Sequence, residues 1–237
     1  MATRRFAGLL AALIFGSAAT AACSSGQAAA PVPPSPGQLA PSTSSSPSVL
    51  PPPSAEGPGL TAPGIRLTAI PRSDGSFDIT EDVVLRSEVA LVRLQLPRSG
   101  EQLAGMMQPT KPVATSLRIT ADDQPVPLNP AQLTATRDVP LTVTATRLQL
   151  TYRLTGSTVR SQPSESGRAA AAISPLMAGV DGTLPTNYQI SGGGLRNAVC
   201  PVLPETRCAV GEPPGLGIQQ GIPANQALAV LQLNLPT

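Results

Sequence analysis

Residues 65–70, IRLTAI, are followed by the turn sequence RSDG at 72–75 and then by Phe77, Ile79 and the apolar run 83–85. Apolar and polar residues alternate through these segments, and an Asp-Gly pair between them is a strong hairpin signal. The same strand pattern returns, with Pro and Gly between its copies, at 89–96, 116–120, 141–146, 148–154, 169–173, 188–191, 199–203 and 227–235. Short alternating strands of this kind predict an all-β fold, an antiparallel β-sandwich that is Ig-like or an open barrel.

Two connections between these strands have patterns of their own. Residues 121–124, ADDQ, predict a second turn, because Asp favours turns through local hydrogen bonds. Residues 101–107, EQLAGMM, favour a single turn or a short helix. The predicted sandwich domain therefore runs over residues 64–237.

The N-terminus has the three parts of an export signal. Arg4 and Arg5 precede the apolar run FAGLLAALIF at 6–15, which is followed by the small residues GSAATAA at 16–22 and by Cys23. This segment resembles the signal of bacterial lipoproteins, in which a lipobox, here residues 20–23, Thr-Ala-Ala-Cys, ends at the acylated cysteine. The resemblance implies a signal peptide at 1–22, a palmitate-type lipid anchor on Cys23 and a location on the extracytoplasmic side of the cell membrane.

Two other interpretations of this N-terminus remain open. Thr20 occupies the place where the lipoprotein family usually has leucine, and cleavage after residues 19–21, Ala-Thr-Ala, would release a freely secreted chain. An uncleaved hydrophobic anchor is the third interpretation. It is disfavoured because the apolar run is too short to span a bilayer comfortably.

Residues 23–63 combine the lipid-attachment site with a tract rich in Pro, Ala and Ser. Proline removes backbone donors, and the small polar residues offer little apolar area to bury, so we expect a disordered stalk. Its Pro-Pro pairs favour extended polyproline II. At ~3.1 Å per residue, such a stalk holds a domain on the order of 100 Å from the membrane.

Charge and composition exclude several classes of function. The chain has 16 basic and 14 acidic residues, and because Arg4 and Arg5 lie in the predicted signal, the mature chain is close to neutral. Nucleic-acid binding is therefore disfavoured, because it rests on clustered cations. Histidine is absent, and beyond the signal the aromatic residues are Phe77, Tyr152 and Tyr188. Lys111 is the only lysine, a usage typical of high-GC genomes such as those of actinobacteria.

The cysteines support export. Cys200 and Cys208 are eight positions apart, and in an exported chain this spacing predicts a structural disulfide that closes a small loop. Two cysteines without histidine cannot complete a zinc site, and the spacing is too long for a redox-active pair. Their pairing leaves Cys23 as the odd cysteine, which agrees with lipidation.

Other candidate sites have simpler interpretations. Glu81-Asp82 and Asp122-Asp123 are adjacent carboxylates; strand neighbours point to opposite faces, so we expect solvated strand-edge or turn charges rather than an acid–base pair. The glycine-rich segments 191–194 and 211–218 predict loops or bulges instead of phosphate cradles. Lys111 has Gln108 in place of a serine three residues before it, which excludes serine-lysine spacing. We predict no catalytic residue, no cofactor and no metal.

The sequence favours a non-catalytic lipoprotein domain for protein interaction or cell-envelope maintenance. The alternative is a carrier that holds a lipid or other apolar ligand within the sandwich, which the many Leu, Val and Ala positions permit. A hydrolase that uses carboxylates alone is the third hypothesis. It requires two facing carboxylates in a cleft.

Overall fold

The computed structural model describes residues 56–98, 103–106, 108–162, 167–192 and 194–236. The predicted signal peptide, Cys23 and the stalk up to residue 55 lie outside the described residues. The strands are β1 (Gly64–Pro71), β2 (Phe77–Leu94), β3 (Val113–Ala121), β4 (Gln124–Val126), β5 (Gln132–Leu133), β6 (Arg137–Thr155), β7 (Thr158–Arg160), β8 (Arg168–Ile173), β9 (Pro185–Ile190), β10 (Leu195–Val199), β11 (Ala209–Val210), β12 (Gly217–Ile218), β13 (Ile222–Pro223) and β14 (Ala229–Asn234).

The strands form a larger and a smaller sheet. The larger sheet has the order β13-β9-β1-β2-β6-β3-β4, with β5 also paired to β3, and the smaller sheet has the order β10-β14-β8-β7. Strands β11 and β12 make a separate pair. One buried cluster collects inward-facing residues from both sheets, so the all-β, sandwich-like fold that the sequence predicts is confirmed.

The antiparallel prediction holds for every sheet pairing of the described strands except one. Strand β9 runs parallel to β1, with Ile65 opposite Thr186 and Ala69 opposite Ile190. A parallel pair needs a long crossover between its strands, and here the chain passes through both sheets before β9 returns beside β1. The larger sheet is therefore mixed at this pairing, within the all-β, sandwich-like fold that the sequence predicts.

Strands β2 and β6 are longer than the alternation predicts. The sequence suggested separate strands at 89–96, 141–146 and 148–154, but β2 and β6 run on for 18 and 19 residues. Val84 pairs with Arg147, Val89 with Ala145 and Leu91 with Pro140, so a bulge in β2 is followed by a compensating bulge in β6. Bulges bend a ribbon without ending its pairing, which explains why the interrupted alternation resembled strand ends.

The predicted hairpin turns are present. At the first turn Gly75 has φ 86, which a glycine adopts without strain, and the Arg72 N–H donates to the Ser76 carbonyl at 2.9 Å. At the second turn Asp122 and Asp123 have φ 42 and 64, as a tight two-residue hairpin requires.

Two boundaries differ from expectation, and one predicted turn is described in part. Strand β10 ends at Val199, and residues 200–203 form a turn instead of the predicted strand. The segment 101–107, predicted as a single turn or a short helix, lies partly outside the described residues, and residues 103–106 form a turn in which the Met106 N–H donates to the Leu103 carbonyl at 3.1 Å. Residues 57–62, assigned to the stalk, form a hydrogen-bonded turn before β1.

The two helices of the described chain are short 3-10 segments, Leu176–Gly179 and Ala224–Gln226. Neither has the length and apolar character needed to cross a bilayer.

Both faces of the smaller sheet are partly covered. Its inner face packs on the larger sheet through residues such as Ala171, Leu231 and Leu233. On its outer face a second cluster, Ala172, Leu228 and Val230, packs against a few partly buried side chains: Leu103, Met106, Val199 and Val202. As far as the described residues extend, surface depressions line the remainder of that outer face, and the candidate functional site lies there.

Candidate functional site

The candidate site lies on the open part of the smaller sheet. In β14, Leu231 and Leu233 point into the core, so strand alternation sends Gln232 and Asn234 outward. In β8, Ala169 faces the core and Ala170 faces outward beside Gln232. The small side chain of Ala170 leaves a recess between the longer polar side chains.

Two depressions meet on this face. The first, of about 480 Å³, is lined by Arg168, Ala170, Arg196, Gln232 and Asn234 among others. The second, of about 620 Å³, shares Arg196 and Gln232 and continues to Thr206 and Arg207. Together we call them the basic groove. Among the described residues, its lining includes three arginines and neither an acidic nor an aromatic side chain.

Arg196 is aimed by a bulge. Leu195 pairs with Leu233 and Asn197 with Gln232, so Arg196 is the extra residue of β10 with no partner across the ladder. A bulge residue is released from the ladder and can be turned toward a site. The Arg196 side chain is exposed, and within the described part of the chain it makes no ion pair or hydrogen bond.

Arg207 is placed by the disulfide loop. The predicted bond between Cys200 and Cys208 is confirmed, with both residues buried and their Cα atoms 5.7 Å apart. The Cys200 N–H donates to the Thr206 carbonyl at 2.7 Å, and Arg207 forms a bridge to Val199. The loop therefore folds back along β10 and holds the exposed Arg207 beside Arg196.

The groove floor also carries amide groups. The Asn197 Nδ2 donates to the Gln232 Oε1 at 3.5 Å, a long hydrogen bond. The Asn234 Oδ1 is buried and has no hydrogen-bond partner among the described residues. A buried acceptor without a donor costs free energy, so this oxygen is a candidate contact for a ligand N–H.

Charge is arranged differently on the larger sheet. One surface depression there, about 190 Å³, is lined by Asp82, Asp123 and Arg147 among others, so opposite charges lie together. Arg72 and Arg153 both pair with Asp78, at 2.7 and 2.9 Å. Two further ion pairs also involve β2, where Arg86 contacts Asp181 and Arg93 contacts Asp138.

The prediction that Glu81 and Asp82 lie on opposite faces is confirmed, but the prediction that both are solvated is wrong. Asp82 is half-buried on the outer face, where it accepts a hydrogen bond from Gln149 at 2.8 Å. Glu81 is 0% exposed and lies between Leu67 and Leu150 in the core row of the sheet. The position of Glu81 in the strand alternation indicates its burial, because Glu81 lies on the same face as the buried Ile79 and Val83.

Glu81 Oε1 accepts two hydrogen bonds, from the Tyr152 hydroxyl at 2.6 Å and from the Leu176 N–H at 2.7 Å. Its Oε2 has no hydrogen-bond partner among the residues that the structure describes. Burial raises the pKa of Glu81 to about 7, against the opposing effect of these donors and of the Met177 N–H.

The two tyrosines share this environment. Burial, together with the charge and hydrogen bond of Glu81, raises the pKa of Tyr152 well above its ordinary value. Burial and the charge of Glu81 also raise the pKa of Tyr188, whose hydroxyl donates to the Ala227 carbonyl. Because Glu81 is closed to solvent, we interpret it as an anchor that fixes Leu176 against β2.

The remaining sequence candidates have structural roles. Asp122 lies in the predicted turn and accepts the N–H of Thr146 and of Arg147. The second glycine-rich segment begins as the turn between β11 and β12, while its end, Gly217–Ile218, is strand β12. Lys111 is exposed. No group of three or more Cys, Asp and Glu side chains in the described ranges is close enough to hold a metal ion.

Sequence reasoning missed the basic groove. Arg196 and Arg207 are eleven positions apart and belong to different segments, so only the folded disulfide loop brings them together. Cys23, the predicted lipidation site, lies outside the described residues. No protein-family model matches the chain, and no curated protein sequence matches it either.

Proposed function

We propose that this chain is a membrane-anchored extracytoplasmic lipoprotein whose β-sandwich is a non-catalytic binding domain for another component of the cell envelope. The observation that carries the binding role is the basic groove, where Arg196 and Arg207 are exposed beside a recess whose described lining residues include no acidic side chain. Isolated arginines around a recess are typical of binding surfaces for anionic groups.

The cysteines support the extracytoplasmic location. The bond between Cys200 and Cys208 uses two of the three cysteines of the chain and leaves Cys23 unpaired. Disulfides persist mainly in oxidising compartments outside the cytosol. An anchor on Cys23, followed by a Pro-rich stalk, would then present the sandwich away from the membrane.

The alternative function, transport of an apolar ligand, has weaker support. The inward-facing side chains of both sheets join a single buried cluster, and the depressions described above are open surface recesses with polar lining residues. We therefore do not favour it. Copurification of lipid with the intact protein would revive it.

The anchor is tested with Cys23→Ala. We expect the native protein to incorporate an alkyne-labelled fatty acid and to remain with membranes, and the variant to lose both properties. Mass analysis of the mature N-terminus should find a modified Cys23 as the first residue. Label retained by Cys23→Ala, or a mature chain that begins elsewhere, would exclude the proposed anchor.

The binding role is tested by site-specific photo-crosslinking in cells. A photo-reactive residue at Gln232, on the groove floor, should form a discrete crosslinked band, whereas the same residue at Arg118, exposed on the larger sheet, should not. The charge reversal Arg196→Glu should abolish the band. Equal crosslinking at both positions, or a band that survives the reversal, would contradict a binding surface at the groove.

A further inference from the structure

The cations of the basic groove are arginines, which narrows the chemistry of a ligand. A guanidinium group presents several donors in a planar fork that matches a carboxylate, and it holds its charge at every physiological pH. Arg196 and Arg207 both line one depression, and Arg168 lines the adjoining one. A ligand that satisfies this arrangement carries more than one oxyanion along its length.

The floor of the groove favours a ligand that also supplies hydrogen-bond donors. The buried Asn234 Oδ1 lacks a donor within the described chain, and Gln232 adds a second amide at the centre of the groove. A free phosphate offers mainly acceptors and leaves such an oxygen unsatisfied. A polypeptide offers both kinds of group, because its backbone supplies N–H donors and its Asp and Glu side chains supply carboxylates.

The dimensions fit a short extended segment. The groove crosses β8, β14 and β10 and reaches the disulfide loop. With strands ~4.8 Å apart, this is a span on the order of 15 Å. An extended peptide rises ~3.3 Å per residue, so about five residues cover that distance.

Other anionic partners fit less well. Sugars and single-stranded nucleic acids are usually held on aromatic faces, and no aromatic side chain is among the described residues that line the groove. A membrane surface is approached by protruding cations and apolar side chains, whereas this site is a recess.

We propose that the basic groove binds an acidic, extended peptide segment of a partner protein, with its carboxylates on Arg196 and Arg207 and a backbone N–H on the Asn234 Oδ1. This inference rests on the proposed binding function and names the class of its ligand.

The test measures binding of fluorescein-labelled peptides to the full-length protein in detergent by fluorescence anisotropy. The probes are a peptide with six consecutive glutamates and a matched peptide with six glutamines. We expect the glutamate peptide to bind and the glutamine peptide to bind at least tenfold more weakly. Binding of the glutamate peptide should weaken as salt is raised, because exposed charges are screened.

Variants locate the contact. Arg196→Gln and Arg207→Gln should each weaken binding roughly fivefold, and the double variant more than tenfold. The matched control is Arg98→Gln with Arg118→Gln, which removes the same charge. Both arginines are exposed; Arg98 follows β2, and Arg118 lies in β3 of the larger sheet. It should stay within twofold of the native protein. Asn234→Leu tests the floor and should also weaken binding. Unchanged thermal unfolding midpoints show that each variant is folded.

Several results would overturn the inference. Equal losses in the groove and control variants would show a response to net charge alone. Equal binding of the two peptides would exclude carboxylate recognition. Vesicles with phosphatidylglycerol, or inorganic phosphate, that compete while the peptide fails would identify a different anion. If crosslinking at Gln232 still depends on Arg196 in that case, the binding function stands and only the peptide class is wrong.

Discussion

The two sheets use charge in different ways. On the larger sheet, cations and carboxylates lie together: Asp78 pairs with two arginines, Arg93 with Asp138, and Glu81 is withdrawn into the core. The four strands of the smaller sheet contain arginines but no acidic residue. Several charges of the larger sheet thus have partners within the fold, while Arg196 of the smaller sheet has none among the described residues.

This difference separates stability from binding. A polar group that is satisfied within the fold contributes to the free energy of unfolding, and its removal leaves partners unpaired. An exposed cation without a partner contributes little to stability, so we assign its role to contacts with something outside the chain. Substitutions on the larger sheet should therefore change unfolding, and substitutions in the groove should change binding alone.

The largest effect is expected at Glu81. Glu81→Ala leaves the Tyr152 hydroxyl and the Leu176 N–H buried without their acceptor, and it removes buried volume. We expect a loss of about 4 kcal/mol in the free energy of unfolding near pH 5.5, where Glu81 is protonated. Denaturant titration measures it. Asp82→Ala, one residue away on the outer face, is the control and should cost less than about 1 kcal/mol; equal losses would contradict a specific role for Glu81.

Glu81 should also make stability depend on pH in an unusual direction. Burial raises its pKa from 4.5 to about 7 in the folded protein. Between these values the native state keeps a proton that the unfolded state releases, so the free energy of unfolding falls as pH rises. The fall should total about 3 kcal/mol and should level off above the folded pKa.

Glu81→Gln isolates this effect, because its amide oxygen can still accept both hydrogen bonds but cannot titrate. Denaturant titrations from about pH 5 to about pH 8 should give a sloping profile for the native protein and a flat one for the variant. Four aspartates with lowered pKa values affect a different pH range: Asp74, Asp78, Asp138 and Asp181. Their stabilisation is present above pH 3.8 and is lost only as pH falls through their folded pKa values. Parallel slopes for the two proteins would show that Glu81 is not the source.

Much of the fold was readable from local patterns. The alternation in residues 65–70 and the Asp-Gly turn predict the β1–β2 hairpin, and the structure has both. The disulfide followed from spacing and export. The bulges of β2 and β6 were not readable, because a break in alternation looks the same whether a strand ends or bends. The parallel β9 depends on a contact more than one hundred residues away in sequence, between Ile65 and Thr186.

The candidate site was less predictable than the fold. Arg196 and Arg207 carry no motif, and their meeting depends on the bulge in β10 and on the path of the disulfide loop. Glu81 was misjudged because acidic residues are rarely fully buried, and that expectation outweighed its position in step with Ile79 and Val83. Its partners, Tyr152 and the Leu176 N–H, are 71 and 95 positions away, beyond any local pattern.

The disulfide should affect both stability and binding, since it contributes to the free energy of unfolding and also holds Arg207. Replacing both cysteines, Cys200→Ser with Cys208→Ser, should lower the free energy of unfolding by about 2.5 kcal/mol, because the unfolded chain gains freedom in an eight-residue separation. It should also weaken binding of the glutamate peptide about as much as Arg207→Gln does. If binding is unchanged in the folded serine variant, the loop does not position Arg207.

The smallest effects give the sharpest contrast between the sheets. Asp78→Asn weakens ion pairs to both Arg72 and Arg153, yet all three side chains are substantially exposed, so the loss of unfolding free energy should be below about 1 kcal/mol. Arg196→Gln removes a charge that has no partner in the described chain, and its effect should stay within about 0.5 kcal/mol of zero. Thermal melts of the two variants, at low and at high salt, measure these two changes in stability. Added salt should reduce the difference in unfolding midpoint between the native protein and Asp78→Asn, because salt screens the attraction that this variant loses. The midpoint of Arg196→Gln relative to the native protein should not change with salt. A larger, salt-sensitive loss in Arg196→Gln would mean that the arginine has a partner within the chain, and the groove would then be part of the fold instead of a surface left for a ligand.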